Sequence, residues 1–562
     1  MSDFGPSIPI SKELHASKYR QPGENFEECC GRIAAALATD HQERYLLLDM
    51  LLHQRFLPGG RIQASAGASV SSTCFNCFCS DTIEDSMYSF MNRMGEASEI
   101  MRRGGGIGFS FGNLRPQGDI ITTIRGTASG PVKFMGVPNS IAGILSQSGN
   151  RRGALMGILP CTHPDIETFI HAKQNSDQLN NFNISVTVTD EFLWAVEYDT
   201  SFDLKFDGRV YKTVSAKALW DEIIRSSWNW AEPGILFIDT INRMNNLWYC
   251  EHISAVNPCA EQPLPPKGLC CLGSLNLTKY LVCSQNQHPF FDYNLFVADT
   301  KMAVRALDRV IDISTYPIEK HKEEELSKRR IGLGYTGLAN TLEVLVYSYG
   351  SSDFLSMHQN IALTLRNTAY CKSIQLAREK ESFPLYDERY LEGEFIKQLP
   401  EDIQDDIRQH GIRNSHLISV APTGSISLTA DNISSGIEPP YLIEGERIIR
   451  GDDGPEITTV QDWAYRVHGV RCKTANECSI DDHLNVLAMA TKYSDSSVSK
   501  TVNVGDNVSY EDFRNLYMRA WKAGCKGLAT FRASGKREGI MKPTKEGSAC
   551  YIDSATGKRS CD

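Results

Sequence analysis

Three features of the sequence predict an α/β fold rich in parallel sheet. Short β-rich runs alternate with longer helical stretches from about residue 60 to residue 535, the pattern of βαβ units. No internal repeat and no low-complexity tract interrupts that alternation. The 562 residues suffice for two to four domains, or for one α/β barrel that absorbs most of the chain.

The elements follow in order. Apolar positions recur at helical spacing through FEECCGRIAAALATDHQERYLLLDMLL, so residues 10–55 read as helical and residues 1–60 as an N-terminal helical segment. LPGGR at 57–61 breaks that pattern. FNISVTVTD at 182–190 and HLISVAPTGSIS at 416–427 read as β-rich runs, and ALTLRNTAYCKSIQLAREKE at 362–381 as a helix. Residues 61–535 form the main α/β body. Beyond ATFRASGKREG the chain is polar and lacks a periodic apolar face, so residues 536–562 are expected to be a flexible tail. That tail still carries Cys550 and Cys561, which a passive tail would not need.

The net charge of −10 argues against nonspecific nucleic-acid binding, which relies on basic surface. It leaves room for an anionic small substrate held by a few local donors. The start, MSDFGPSIPISKELHASKYR, has no apolar signal core, and no run approaches a membrane span, so a cytoplasmic protein with no membrane partner is expected. Seventeen cysteines in a reducing compartment are not a disulfide framework. Those beside polar partners are candidates for redox chemistry or metal binding.

The densest such cluster is NPCAEQPLPPKGLCCL at 257–272. In an extended strand Asn257, Cys259 and Glu261 share one face, and in a tight loop they also converge. Either way a thiol, an amide and a carboxylate meet one small substrate. The competing reading is a buried structural cysteine in a proline-rich loop; the N-x-C-x-E pattern and nearby Cys270 favour the functional one. SSTCFNCFCSDTIEDSM holds Cys74, Cys77 and Cys79. A zinc knuckle would need a second well-spaced pair, and adjacent Cys270 and Cys271 make a poor one, so no metal site is expected. A thioredoxin-like motif would need a compact βαβ setting that is not evident. Cys74 and Cys77 form a C-x-x-C, and the expectation is that one of these two pairs with a distant partner.

In APTGSISLTADNISSGIEPP at 421–440, Thr423, Gly424, Ser425 and Ser427 follow a β-run at a helix start. That suits phosphate binding through backbone N–H groups, and it equally suits an N-cap and turn. No Walker motif occurs. RRGGGIGFSFGNLRP at 102–116 departs from G-x-G-x-x-G because Phe111 falls where the last glycine is needed, so its glycines read as tight turns and close backbone packing.

Taken together, these stretches resemble the catalytic subunit of ribonucleotide reductase across almost the whole chain, most closely the class II, adenosylcobalamin-dependent enzymes. The resemblance is carried, in the family's order, by KYRQPGE, FLPGGRI, FNCF, GGGIGFSFGNLRPQG, GTASGPVKFM, RRGALMGILPCTHPDIETFI, FNISVTVTDEF, NPCAEQPL, CLGSLNL, RRIGLGYTGLAN, RNSHLISVAPTGSIS, SGIEPPY and KGLATFR. It implies a ten-stranded α/β barrel of two parallel five-stranded halves, with Cys259 at the tip of a central finger loop. Removing an unactivated 2′-hydroxyl is poorly served by acid–base groups alone. A thiyl radical can abstract the 3′-hydrogen because S–H and sugar C–H bonds are similar in strength. By resemblance Cys259 carries that radical, Glu261 is the general base for the 3′-hydroxyl and Asn257 holds the sugar hydroxyls. Cys77 and Cys270 supply the reducing dithiol, while Cys271 is packing.

The resemblance assigns further sites. Thr423, Gly424, Ser425, Ile426 and Ser427 match the substrate-phosphate loop. Asp85, Ser86 and Arg125 match the site of a dNTP or ATP effector, and Arg151 and Arg152 the connecting specificity loop at about 149–154. Cys550 and Cys561 match the tail pair that re-reduces the active site by thiol exchange with thioredoxin or glutaredoxin; the ten intervening residues depart from the family's closer spacing. A homodimer is expected. The N-terminus leaves no room for an ATP-cone, which implies specificity control without a dATP switch. Ala529 and Thr530 stand where class I subunits have two relay tyrosines, and no Tyr-Tyr dipeptide occurs in the chain. Adenosylcobalamin is therefore the expected radical source and a ribonucleotide, with the diphosphate expected, the substrate. The alternative is a class I-type subunit fed by a separate metal-containing protein.

Overall fold

The computed structural model describes residues 4–69, 72–145, 154–174, 178–284, 287–451, 454–505, 508–532, 534–535, 550–552 and 559–561. The helical N-terminal stretch divides into α1 (Pro9–Tyr19), α2 (Phe26–Leu37) and α3 (His41–Leu52). Capping side chains mark the divisions. The Asn25 side chain accepts from the Glu28 N–H while the Glu28 carboxylate accepts from the Asn25 N–H, and Asp40 caps α3 through the Glu43 N–H.

The strands that carry the site are β1 (Phe56–Pro58), β2 (Cys77–Cys79), β3 (Gly106–Ser110), β4 (Leu155–Pro160), β5 (Phe182–Val188) and β6 (Gly234–Phe237). They continue with β7 (Ala255–Val256), β8 (Pro263–Leu264), β9 (Leu272–Asn276), β10 (Gly332–Thr336), β11 (Thr501–Val504) and β12 (Gly527–Arg532). Seven of them form one sheet in the order β11-β12-β6-β5-β4-β3-β2. The run from β6 to β2 is parallel throughout, as is β11 with β12; β12 meets β6 antiparallel. A second sheet runs β1-β9-β10, antiparallel then parallel. Isolated bridges join Phe78 to Leu269, Leu333 to Ile418 and Val420 to Val498. HLISVAPTGSIS therefore contributes bridges rather than a full strand, and its end turns into a short helix.

β4 and β5 are buried almost end to end, as parallel strands covered on both faces must be. Alternate residues of β4 serve two cores. Leu155 and Leu159 join the large outer cluster with the helices, whereas Met156 and Ile158 join a smaller cluster with Val256, Leu264, Cys270 and Leu272. That smaller cluster holds the β7–β8 hairpin. The outer layer includes α4 (Met87–Arg102), α5 (Gly136–Leu145), α6 (Tyr293–Ile313) and α7 (Ser352–Lys380), the last two packed on each other. The short α8 (Gly424–Thr429) follows the 418–420 bridges. In the tail, Cys550–Ile552 pairs antiparallel with Arg559–Cys561, which sets Cys550 opposite Cys561 in register. No helix of the described residues is long and apolar enough to cross a membrane.

Candidate active site

Residues 257–262 form the tip of the β7–β8 hairpin. The Asn257 N–H donates to the Gln262 carbonyl at 3.0 Å, and the Ala260 N–H to the Asn257 carbonyl at 3.0 Å. Ala260 takes a positive φ of 64° to close the turn. The tip is pinned from several sides. Asn183 Nδ2 on β5 donates to the Pro258 carbonyl at 3.1 Å. The Glu261 carbonyl accepts from Ser419 Oγ at 2.8 Å and from the Ser497 N–H at 3.0 Å. On β3, Gly106 and Gly108 lie against the hairpin, where a Cβ would meet Pro258 and the Val256 carbonyl. The glycine run thus provides the close backbone packing expected of it.

Asn257 and Glu261 are buried, while Cys259 between them is exposed to a cavity. Asn257 Oδ1 accepts from the Gln262 N–H at 3.0 Å, which orients the amide. Its Nδ2 and Glu261 Oε2 are buried without a hydrogen-bond partner among the described residues. The two side chains lie beside one another, and Glu261 lines the cavity from which a group could pair with them. Burial pushes the Glu261 carboxyl up to about 7, with the nearby Asn257 amide pulling the other way. A carboxyl poised there suits a general base.

Cys259 borders two cavities. One, of about 620 Å³, also holds Cys77, Glu261 and the Thr423–Ile426 loop, with Lys18, Arg61, Arg102 and Arg103 around it. The other, of about 640 Å³, is lined by Asn183, Ser434, Asn503, Ala529 and Thr530 beside Pro439 and Pro440. Lys500 and Glu438 in that wall neutralise each other at 2.6 Å.

Cys77 and Cys270 stand opposite one another where β2 bridges to the segment before β9, the Cys270 N–H donating to the Cys77 carbonyl at 3.0 Å. Burial, then the neighbouring Cys77, raise the Cys270 thiol well above its ordinary value. The other nearby cysteines are placed differently. Cys271 packs in the outer core, its thiol donating to the Leu307 carbonyl. Cys74 lies in the same core, and Cys79 is buried away from the cavity. No group of three or more metal-ligating side chains occurs among the described residues.

The residues expected to form the phosphate loop divide. Thr336 Oγ1 bonds both Thr423 Oγ1 at 2.8 Å and Ser427 Oγ at 2.7 Å, so these two buried hydroxyls serve the loop's own shape. Thr423 adopts a φ of 52°. Gly424 and Ser425 are exposed at the cavity, and Ile426 packs inward. At the expected effector site Asp85 holds Arg115 Nε at 2.6 Å, a partner that the sequence reading missed. Ser86 caps α4 through the Ser89 N–H, and Arg125 is exposed at a turn. Arg151 and Arg152 lie outside the described residues. Lys18 and Arg61 were also missed, although both fall inside quoted motifs, KYRQPGE and FLPGGRI.

The chain matches the family described as ribonucleotide reductase, barrel domain, over residues 75–450 and 444–531. It is 35% identical over 596 aligned residues to a vitamin B12-dependent ribonucleoside-diphosphate reductase of Mycobacterium tuberculosis (strain CDC 1551 / Oshkosh), covering 98% of this chain and 82% of that protein. A protein of the same name from Thermoplasma acidophilum is 34% identical over 520 residues, 86% of this chain and 64% of that one. The ribonucleoside-diphosphate reductase large subunit of Caenorhabditis elegans is 27% identical over 431 residues, 68% and 54% of the two chains.

Proposed function

The chain belongs to the ribonucleotide reductase family, and from that membership we propose how its two cavities divide the work. It is an adenosylcobalamin-dependent ribonucleoside-diphosphate reductase of class II. The observation that carries the division is the position of Cys259 in the wall of both cavities. The ribonucleotide takes the cavity that holds Glu261, Cys77 and the Thr423–Ser427 loop. The second cavity suits the adenosyl end of the cofactor. Asn183, Ser434 and Asn503 offer hydrogen bonds, Pro439 and Pro440 an apolar wall, and Ala529 leaves space. When bound, adenosylcobalamin supplies the homolytic chemistry that takes the hydrogen atom from Cys259.

The remaining steps belong to the chain. Cys259, as a thiyl radical, removes the 3′-hydrogen and returns it once the 2′-carbon has been reduced, Glu261 accepts the 3′-hydroxyl proton and Asn257 fixes the sugar hydroxyls. Cys77 and Cys270 give up two hydrogens and form a disulfide as the 2′-hydroxyl leaves as water. Holding these groups on one short turn replaces encounter by position. A class I-type reading is not favoured, given the relatives' names and the residues Ala529 and Thr530.

The same reading extends to the architecture and partners. The fold is read as a barrel of two parallel five-stranded halves: β2 to β6 form one, and β9, β10, the 418–420 segment, β11 and β12 the other, a view supported by the antiparallel meeting of β12 with β6 and by the three isolated bridges that connect β2 toward β9 and β10 toward β11. Residues 1–60 form an N-terminal helical segment, 61–535 the barrel and 536–562 the redox tail, cytoplasmic in location. Cys550 and Cys561 form an exchange pair served by thioredoxin or glutaredoxin, supported by their facing register. A dNTP or ATP effector binds near Asp85, Ser86 and Arg125, with Arg151 and Arg152 in the specificity loop. α4 and α5 expose Met87, Tyr88, Met91 and Ile144, a surface suited to a homodimer.

The test is anaerobic reduction of CDP with dithiothreitol, with and without adenosylcobalamin. Deoxynucleotide formed only with the cobalamin supports the assignment. Formation only with an added metal-bearing partner protein would overturn it.

A further inference from the structure

The substrate cavity has an N-terminal wall that the loop residues do not explain. α8 is six residues long, and the Thr423 and Ser427 hydroxyls are taken by Thr336. Positive charge at this cavity comes from elsewhere. α1 is fastened to α8 and its exit. Asp431 accepts from the Ser7 N–H and Ser7 Oγ, both at 2.7 Å, and from the Ile8 N–H at 3.2 Å. Ser11 Oγ donates to the Leu428 carbonyl at 2.5 Å. Ile10, His15 and Tyr19 are buried beneath the helix, with the Tyr19 ring so close to Gly60 that a Cβ there would stand 3.1 Å from it. This anchoring carries Lys18 to the loop, its Nζ 3.3 Å from Ser425 Oγ. Arg61, the residue after Gly60, is held by its N–H on Asn76 Oδ1 at 3.0 Å. Its guanidinium lies flush on Gly104, where a Cβ would stand 2.5 Å from Nη2. Both cations line the cavity that contains Cys259 and Glu261.

We propose that Lys18 and Arg61 bind the diphosphate of the substrate, so that the N-terminal helical segment, through Lys18, and the first residue of the barrel, Arg61, together complete the site and select for a charged phosphate chain. This rests on the reductase reading above. The cations add charge-assisted bonds to phosphate oxygens that a six-residue helix and two exposed loop residues do not supply.

The experiment uses the full chain and measures equilibrium binding of CDP, CMP and cytidine without cobalamin, followed by steady-state kinetics with it. Lys18→Met is expected to weaken CDP binding and raise its KM roughly tenfold. Its kcat should stay within about twofold, because ionic binding far from the reacting carbon is shared by ground and transition states. Cytidine binding should not change, and Lys18→Arg should retain most of the CDP affinity. Arg61→Met should act in the same direction. Unchanged CDP binding in Lys18→Met, or equal weakening for cytidine and CDP, overturns the proposal. Absence of cobalamin-dependent turnover in the unaltered chain would instead overturn the reductase reading, while CDP binding still reports on Lys18.

Discussion

Gly108 meets the carbonyl oxygen of Val256 with no room for a side chain: a Cβ on Gly108 would stand 2.0 Å from that oxygen. The clash is with backbone, which cannot rotate away. β3 and the hairpin that carries Cys259 are therefore set against each other by the absence of one methyl group. Gly108→Ala should push the hairpin tip outward. Displacement by about an ångström is enough to cost on the order of a hundredfold in turnover, and overpacking should cost about 1–3 kcal/mol of stability. Steady-state turnover and chemical denaturation of the variant check this, and unimpaired turnover would show that β3 does not hold the tip.

Glu261 ties activity to pH in a definite direction. Its folded-state carboxyl titrates at about 7, well above the ordinary 4.5, because it is buried. A general base must be ionised, so kcat/KM should rise with pH through about 7. Stability runs the other way. Between about 4.5 and 7 the folded chain holds a proton that the unfolded chain has released, so this group's contribution declines as pH rises through that window and stays low above it. Glu261→Gln should remove the decline and be more stable than the parent above pH 7 by on the order of 3 kcal/mol. Its turnover should fall at least about a hundredfold. An unchanged pH profile in this variant would exclude Glu261 as the base.

The part of the site that sequence made legible is the part that is local. Asn257, Cys259 and Glu261 lie within five residues, and any extended or tightly turned backbone brings such groups together. The pairing of Cys77 with Cys270 needed the family resemblance, since three nearby thiols compete in the sequence and only strand register separates them. The use of Thr423 and Ser427 was not legible, because their partner Thr336 is at the end of β10, 87 and 91 residues away. Lys18 and Arg61 were invisible for a different reason: a cation facing a cavity and a cation facing solvent leave the same trace in a sequence. In the fold, alternation of β-runs and helices conveyed the parallel sheet. The continuous periodicity of residues 10–55 hid the two capped breaks at Asn25 and Asp40.

Cys77 and Cys270 oppose one another across the strands, and Cys79 and Cys271 do not share that relationship. One turnover without added reductant should therefore consume two thiols, and peptide mapping should recover a Cys77–Cys270 crosslink. Cys77→Ser and Cys270→Ser should each reduce multiple turnover with dithiothreitol by at least about a hundredfold, since neither alone can supply two electrons. Cys79→Ser should lose less than about tenfold, as a buried substitution outside the cavity. Recovery of a Cys79 crosslink would reassign the dithiol.

Ala529 gives the sharpest separation of the two cavities. It lines the one with Asn183 and Asn503 and is absent from the one with Glu261 and the Thr423–Ile426 loop. It is exposed there, while the neighbouring Thr530 is buried and its hydroxyl is within 2.8 Å of Tyr517 OH. A large side chain at 529 thus fills the cavity without disturbing that hydrogen bond. Ala529→Trp should weaken adenosylcobalamin binding at least about tenfold, a loss of about 1.4 kcal/mol, as followed by cobalamin absorbance on titration. CDP binding in the absence of cobalamin should be the same as in the parent. The converse outcome, weaker CDP binding with cobalamin binding intact, would mean that the two cavities are assigned the wrong way round.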